Sequence, residues 1–220
     1  MKKILCGQRP VHYSASAIGG FLGGYTIFNH ADIFGNAQTG NLIHLTLDTV
    51  QGKFALVLFM LLGFLVYCGG NVFYVLVRRR VKISMKIVSL ICTSAAVALT
   101  GAISFVQNDF IACYPIIFAA PVQWNAFKIA DGNSSSTIFS SNNVRQAAIL
   151  TTNYALDRDK RTRAKAAFYW LTLLGFHLGV AFSCAMSLIF GAQSIWFCYA
   201  PIALTAAVYF VYRKQRAEMS

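Results

Sequence analysis

Asn36-Ala37-Gln38-Thr39-Gly40-Asn41 is a polar, glycine-containing run set between two apolar stretches. Read as backbone chemistry, it opens a short helix. Thr39 or Asn41 can cap the first free N–H groups, and Gly40 permits a turn that other residues resist. A degraded copy stands at Ser140-Ser141-Asn142-Asn143. Thr39-Gly40-Asn41-Leu42 aligns with Ser141-Asn142-Asn143-Val144 at an offset of 102 residues. Thr and Ser both cap, and Gly and Asn both tolerate a left-handed backbone. Each run follows a loop-like segment carrying an aspartate, Asp32 or Asp131.

The surroundings of these runs are those of a membrane protein. The chain has 220 residues, of which 57% are hydrophobic and only 12% charged, and its mean hydropathy is +0.56. A soluble domain carries about a quarter charged residues. The formal charge of +12 does not point to nucleic acid, because the basic residues sit in short clusters between apolar spans. The six cysteines form no CxxC pair, and five lie in apolar stretches, so they read as small buried hydrophobes. Met1-Lys2-Lys3 mimics the start of a signal peptide, but Arg9-Pro10 interrupts before any apolar core. The expectation is an uncleaved cytoplasmic tail.

A spanning helix needs roughly 20 apolar residues. Candidate spans lie at 11–28, 54–77, 87–106, 110–127, 166–190 and 194–212, with a kink expected from Pro115 and Pro121. Segments 39–50 and 143–156 read as helices too short to cross, 128–136 as a loop and 157–165 as a charged loop. The order long, short, long, long then repeats. The chain is therefore expected to be all-α: a polytopic membrane protein with one domain over 1–220, six transmembrane helices and two short re-entrant helices. They are arranged as an inverted internal repeat with halves 1–106 and 107–220.

Charge selects this topology. With eight full crossings the basic clusters fall on both faces. With both short helices re-entrant, 16 of the 19 Lys and Arg lie on one side, in the N-terminal tail, 78–86, 157–165 and the C-terminal tail. Lys128 and Arg145 fall near the same side, and only Lys53 lies opposite. The positive-inside rule makes that side cytoplasmic. The expected location is the cytoplasmic (inner) membrane, with both termini inside. Each half then has three crossings, so the halves are inverted, and the two short helices enter from opposite faces.

Gly19-Gly20-Phe21-Leu22, Tyr25-Thr26 and the run Asn36 to Leu42 resemble the YoaK-like membrane proteins, a bacterial family of unknown function. Gln123, Phe127 and Thr137-Ile138-Phe139-Ser140-Ser141-Asn142-Asn143-Val144-Arg145 are similar to that family's second Thr-Gly-Asn-Leu-Arg motif in altered form. The likeness covers nearly the whole chain. Two departures stand out: Gly23-Gly24 replace the family's Asp-Ala, and Asn142 replaces its second-motif glycine. The resemblance implies a membrane fold and no substrate.

The expected function is a channel or transporter for a small anion or neutral polar solute. A helix N-terminus offers free N–H donors and partial positive charge, and two of them at the midplane form such a site. The candidate substrate-binding residues are Asn36, Gln38, Thr39, Gly40 and Asn41 from the first run, and Ser141, Asn142, Asn143 and Arg145 from the second. Gln123 and Asn125 join them from the adjoining span. His30 and Asp32 are candidates for gating or proton linkage, because ionisable groups near membrane depth are costly. His44 and Asp48, four apart, share a helix face. His177 reads as a helix–helix hydrogen-bonding group, and Trp196, Tyr199, Tyr209 and Tyr212 as interfacial anchors. The plainer reading of both runs is that the caps only satisfy buried backbone. The alternative function is accordingly a non-transporting scaffold or accessory protein with a dry, packed core. No HExxH, GxSxG or phosphate-binding glycine loop is present, and the one glutamate is Glu218. No enzyme activity, cofactor, metal or nucleic-acid partner is expected. The expected partners are the bilayer and an unidentified small solute, and small-residue helix faces allow a homo-oligomer.

Overall fold

The computed structural model describes residues 7–103 and 108–218. The N-terminal Lys2, Lys3 and Cys6, and the expected boundary between halves at 106–107, lie outside the described residues. The chain forms α1 (Arg9–Asn29), α2 (Gln38–Val50), α3 (Phe54–Arg80), α4 (Met85–Ala102), α5 (Asp109–Phe127), α6 (Ser141–Asp157), α7 (Lys160–Phe190) and α8 (Tyr199–Ala217). A 3-10 segment, Gly191–Cys198, joins α7 to α8. The two-residue strands Ile129–Ala130 and Asn133–Ser134 pair antiparallel in the stretch expected to be a loop.

Among the described residues, four segments are long and apolar enough to cross a membrane: α3, α4, α5, and the 58 residues of Lys160–Ala217, which contain α7 and α8 in succession. α3 exposes Leu58, Leu65 and Val72 by half or more of their surface. A face this apolar suits lipid better than water. α1 is missing from that group because glycine and serine occupy its middle, and it is the most enclosed helix. Val11, Ala15, Ile18, Phe21, Leu22 and Tyr25 form the heart of the core with Val97, Ile116 and Ile202.

α1 packs mainly on α7, and α3 on α5. At the α1–α7 crossing a Cβ on Gly20 would collide with the carbonyl of Phe176, and one on Gly179 with the carbonyl of Ala17. Gly175 lies against the carbonyl of Tyr13 in the same way. Gly175 and Gly179 form a GxxxG face, the spacing that lets helix backbones touch where lipid supplies no hydrophobic drive. In α3, Gly70 meets the carbonyl of Phe118 on α5.

The basic segments meet at one end of the bundle. There the Gln8 amide donates to Tyr212 Oη (3.4 Å), Arg9 Nη1 to the Ala164 carbonyl (3.3 Å), and Lys86 Nζ to Gln8 Oε1 (3.5 Å). At the other end Asn29 Nδ2 donates to Ser187 Oγ (2.8 Å), and Lys53 pairs with Asp48 (3.7 Å).

Several local expectations change. α7 begins at Lys160 because Asp159 caps it, its carboxylate accepting from the Thr162 N–H and hydroxyl at 2.8 Å each. Those bonds hold the Asp159 carboxyl below its usual pKa. The charged stretch is therefore a helix start after a two-residue turn, in which Arg158 is left-handed. Pro115 and Pro121 both lie inside α5, where each leaves a helix carbonyl without its N–H partner. α6 has 17 residues, longer than its apolar pattern indicated. Tyr209 and Tyr212, expected as interfacial anchors, are buried in the core, and His177 is exposed on α7.

Gly20→Ala is expected to destabilise the fold by about 2 kcal/mol or more, since backbone on both sides leaves no room for a methyl group. Gly69→Ala, whose nearest neighbour is 3.9 Å away, is expected to be silent. Thermal unfolding of the two variants in detergent, followed by size-exclusion recovery, measures the difference.

Candidate functional site

The two polar runs reach the same place. After α1 the chain turns back along it, and the Asn36 Nδ2 donates to the Gly19 carbonyl (3.0 Å) while the same side chain fills the space above Gly23. Gly35 N–H donates to Thr26 Oγ1 (3.1 Å). After α5 the chain turns back likewise, and the carbonyl of Thr137 rests on the bare Cα of Gly19. Both turns contain an exposed left-handed aspartate, Asp32 (φ 58°) or Asp131 (φ 47°), a conformation aspartate tolerates. Gly19, midway along α1, is thus the meeting point of both loops.

A cavity of about 360 Å³ lies beside it. Its walls include Gly23 and Gly24 of α1, Phe34, Asn36 and Ala37 before α2, Ile138, Phe139, Ser140 and Ser141 at the start of α6, and Phe176 and Val180 of α7. Among the described residues, no lysine, arginine, aspartate or glutamate lines it.

Neither α2 nor α6 is capped by a side chain, whereas Ser84, Asn108 and Asp159 cap α4, α5 and α7. The expected capping role of Thr39 or Asn41 therefore does not hold: the N-cap of α2 is Ala37. Asn41 instead clasps the incoming loop. Its Oδ1 accepts from Phe34 N–H (3.1 Å) and its Nδ2 donates to the Phe34 carbonyl (2.9 Å). Asn143 makes the same pair of bonds to Ser136, at 3.4 Å and 2.7 Å. Phe34 and Ser136, like Asn41 and Asn143, are 102 positions apart. Asn143 Oδ1 also accepts from Ser135 Oγ (2.8 Å), which is bonded in turn to His12 Nε2 (3.0 Å). Two buried polar atoms have no partner here: Gln38 Nε2, at the first residue of α2, and Ser140 Oγ, at the N-cap of α6. They too are 102 positions apart.

The remaining candidates divide. Gln123 is buried and donates to the Ala15 carbonyl (2.9 Å), tying α5 to α1, with Thr137 Oγ1 at 3.5 Å. Gly40 packs under the Phe34 ring. Thr39 faces outward in a shallow groove with Leu42 and Ile43. Asn125 bonds Asn71 Oδ1 (2.9 Å) near the basic end, away from the cavity. Arg145 is exposed and donates to Asn142 Oδ1 (3.2 Å). Asp32 is exposed in its turn, and Asp48 pairs with Lys53 while His44 is exposed.

His30 is buried and belongs to a chain of hydrogen-bond contacts that the sequence did not reveal. Its Nδ1 lies 3.0 Å from Asp109 Oδ1 at the start of α5, and its Nε2 lies 3.1 Å from Tyr25 Oη. Tyr25 Oη donates to the Ala192 carbonyl (2.9 Å). A phenol has one proton. All three contacts are hydrogen bonds together only when the His30–Asp109 pair holds two protons. With one fewer, one of the three is lost: either Tyr25 chooses between His30 and Ala192, or His30 and Asp109 face each other without a proton between them. Asp109 is 79 residues from His30, so no local pattern announces the pair.

Removing the clasp should show what it holds. Asn143→Ala strands the Ser136 N–H and carbonyl, at roughly 1–3 kcal/mol for each buried group left unpaired. Asn41→Ala does the same at Phe34. Asn142→Ala, at an exposed bond, is expected to change stability by no more than about 0.5 kcal/mol. Thermal denaturation of the three variants checks the ranking.

Neither a curated relative nor a solved structure matches the chain. Residues 11–208 match the family described as protein of unknown function (DUF1275), and the chain belongs to that family.

Proposed function

We propose that this protein is a membrane channel or transporter for a small neutral polar solute or small anion, with its site at the facing N-termini of α2 and α6. The observation that carries the reading is the pair Gln38 Nε2 and Ser140 Oγ, buried polar atoms without a protein partner at matching positions of the two helices. Buried polar groups in folded proteins are satisfied almost without exception, so the Ser140 hydroxyl in the cavity wall, with Gln38 next in sequence to the wall residue Ala37, offers a place for water or a solute. The uncapped N–H groups add donors and partial positive charge, which favour a hydrogen-bond acceptor and disfavour cations. With no charged wall, the site suits a solute of little or no charge.

The architecture proposed with it is an inverted repeat: α1, α3 and α4 cross, α5, α7 and α8 cross in the opposite sense, and α2 and α6 enter partway. α2, with 13 residues, is about 20 Å long, short of the roughly 30 Å hydrocarbon core. Exchanging α1 with α5, α2 with α6, α3 with α7 and α4 with α8 turns each main helix contact into another main contact. α1 on α7 becomes α5 on α3, α1 on α8 becomes α5 on α4, and α2 on α3 becomes α6 on α7. The matched asparagine clasps follow the same exchange. The concentration of basic residues at one end supports cytoplasmic termini in a bacterial inner membrane, in keeping with the likeness to YoaK-like proteins. The His30–Asp109–Tyr25 relay, at the opposite end, then gives proton binding a direct link between α1, α5 and the α7–α8 connection.

One observation favours a second reading, a scaffold with a dry core: Phe34, Ile138, Phe139, Phe176 and Val180 make much of the cavity wall apolar. Flux separates the two. Protein reconstituted in liposomes should pass at least one of urea, glycerol, formate or nitrate faster than protein-free vesicles, and exclude potassium. The double variant Ala37→Leu and Ser140→Leu, which fills the cavity and leaves both clasps in place, should return flux to the protein-free rate. No flux of any of the four, or flux unchanged in a well-folded double variant, overturns the proposal.

A further inference from the structure

A second cavity, of about 510 Å³, opens at the basic end between α3, the start of α4 and the end of α5. Arg78 from the last turn of α3, Lys86 from the first turn of α4 and Lys128 just after α5 all line it. Three cations from three segments converge there, and among the described residues no carboxylate is in its wall. Asp131, two residues beyond Ile129, is already engaged: it pairs with Arg9 (3.5 Å) and accepts from the Gln8 N–H (2.9 Å). Lys86 is not a free surface lysine. It is held with its ammonium 5.8 Å above the Phe127 ring and 3.5 Å from Gln8 Oε1. Converging like charges repel, so the arrangement is most stable with a counter-anion between them.

The rest of the wall supplies hydrogen-bonding groups and an apolar margin. Ser84 and Asn125 line the pocket with the cations. Ile129 lines it too and is 57% exposed, and Ile83, beside Ser84, is 56% exposed. Cations with hydrogen-bonding groups recognise phosphate, and basic pockets between transmembrane helices take anionic headgroups. A soluble anion gains nothing from the isoleucines, whereas a phospholipid has a glyceride and acyl chains to lay against them.

We propose that this pocket binds a phosphate-bearing anion, a chemistry shared by anionic phospholipid headgroups and free phosphate, with the lipid as its occupant. The site is separate from the α2–α6 cavity and stands whether or not that cavity conducts.

The test uses the purified full chain and titrates it with nanodiscs or mixed micelles containing phosphatidylglycerol, with phosphatidylcholine as the neutral comparison. The pocket variant Arg78→Gln, Lys86→Gln, Lys128→Gln is set against Lys160→Gln, Arg161→Gln, Arg213→Gln, which removes the same charge from exposed positions elsewhere. Each cation lost from the pocket is expected to weaken phosphatidylglycerol binding by about fivefold, and the exposed triple to have a much smaller effect. Lys128→Gln alone, at an exposed side chain, keeps the test readable if Lys86→Gln disturbs folding. Inorganic phosphate in the millimolar range should not displace the lipid; displacement assigns the site to the free anion. Equal losses in the two triples, or no preference for phosphatidylglycerol over phosphatidylcholine, overturn the proposal.

Discussion

Gly19 is where the structure closes. The first loop hangs on its carbonyl through Asn36, and the second lies on its bare Cα through the Thr137 carbonyl. One helix can serve two loops at one point only if it has no side chain there and can still approach a third partner. α1 meets this by placing Gly20 against α7 immediately beside Gly19. In lipid there is no hydrophobic gain from pressing apolar helices together, so close backbone contact and interhelical hydrogen bonds carry the association. Substituting these glycines therefore removes the seat of both loops as well as a helix contact.

From that seat follows the character of the cavity. Loops at this depth must satisfy their backbone without water. The asparagine clasps do so for Phe34 and Ser136, and the uncapped helix starts next to them are left with donors to spare. A cap on Ala37 or at Ser140 would have consumed them. The same residues that stabilise the loops thus leave the helix ends available, and the proposed solute site draws on those ends.

Much of this was legible in the sequence. The apolar runs of α3, α4 and α5 place themselves, and the spacing of Asn41 and Asn143 anticipated residues whose bonds match. What the asparagines do was not legible, because capping and clasping use the same side-chain atoms and differ only in where the loop folds back. α7 could not be read to its start, since Lys160, Arg161, Arg163 and Lys165 look like a loop until Asp159 is seen to cap them. The burial of Tyr209 and Tyr212 and the pairing of His30 with Asp109 depend on neighbours distant in sequence. Asn125, expected at the solute site, belongs to the basic pocket instead, because α5 carries it two residues past Gln123 and onto another side of the helix.

The proposed function rests most heavily on the proposal that α2 and α6 enter the bilayer from opposite faces and stop midway. Single cysteines placed at Lys53 and at Lys160, in a background lacking the native cysteines, can be probed with an impermeant thiol reagent in intact and in opened cells. The account predicts that position 53 reacts in intact cells and that position 160 reacts only after opening. Reaction of both from the same face would contradict it.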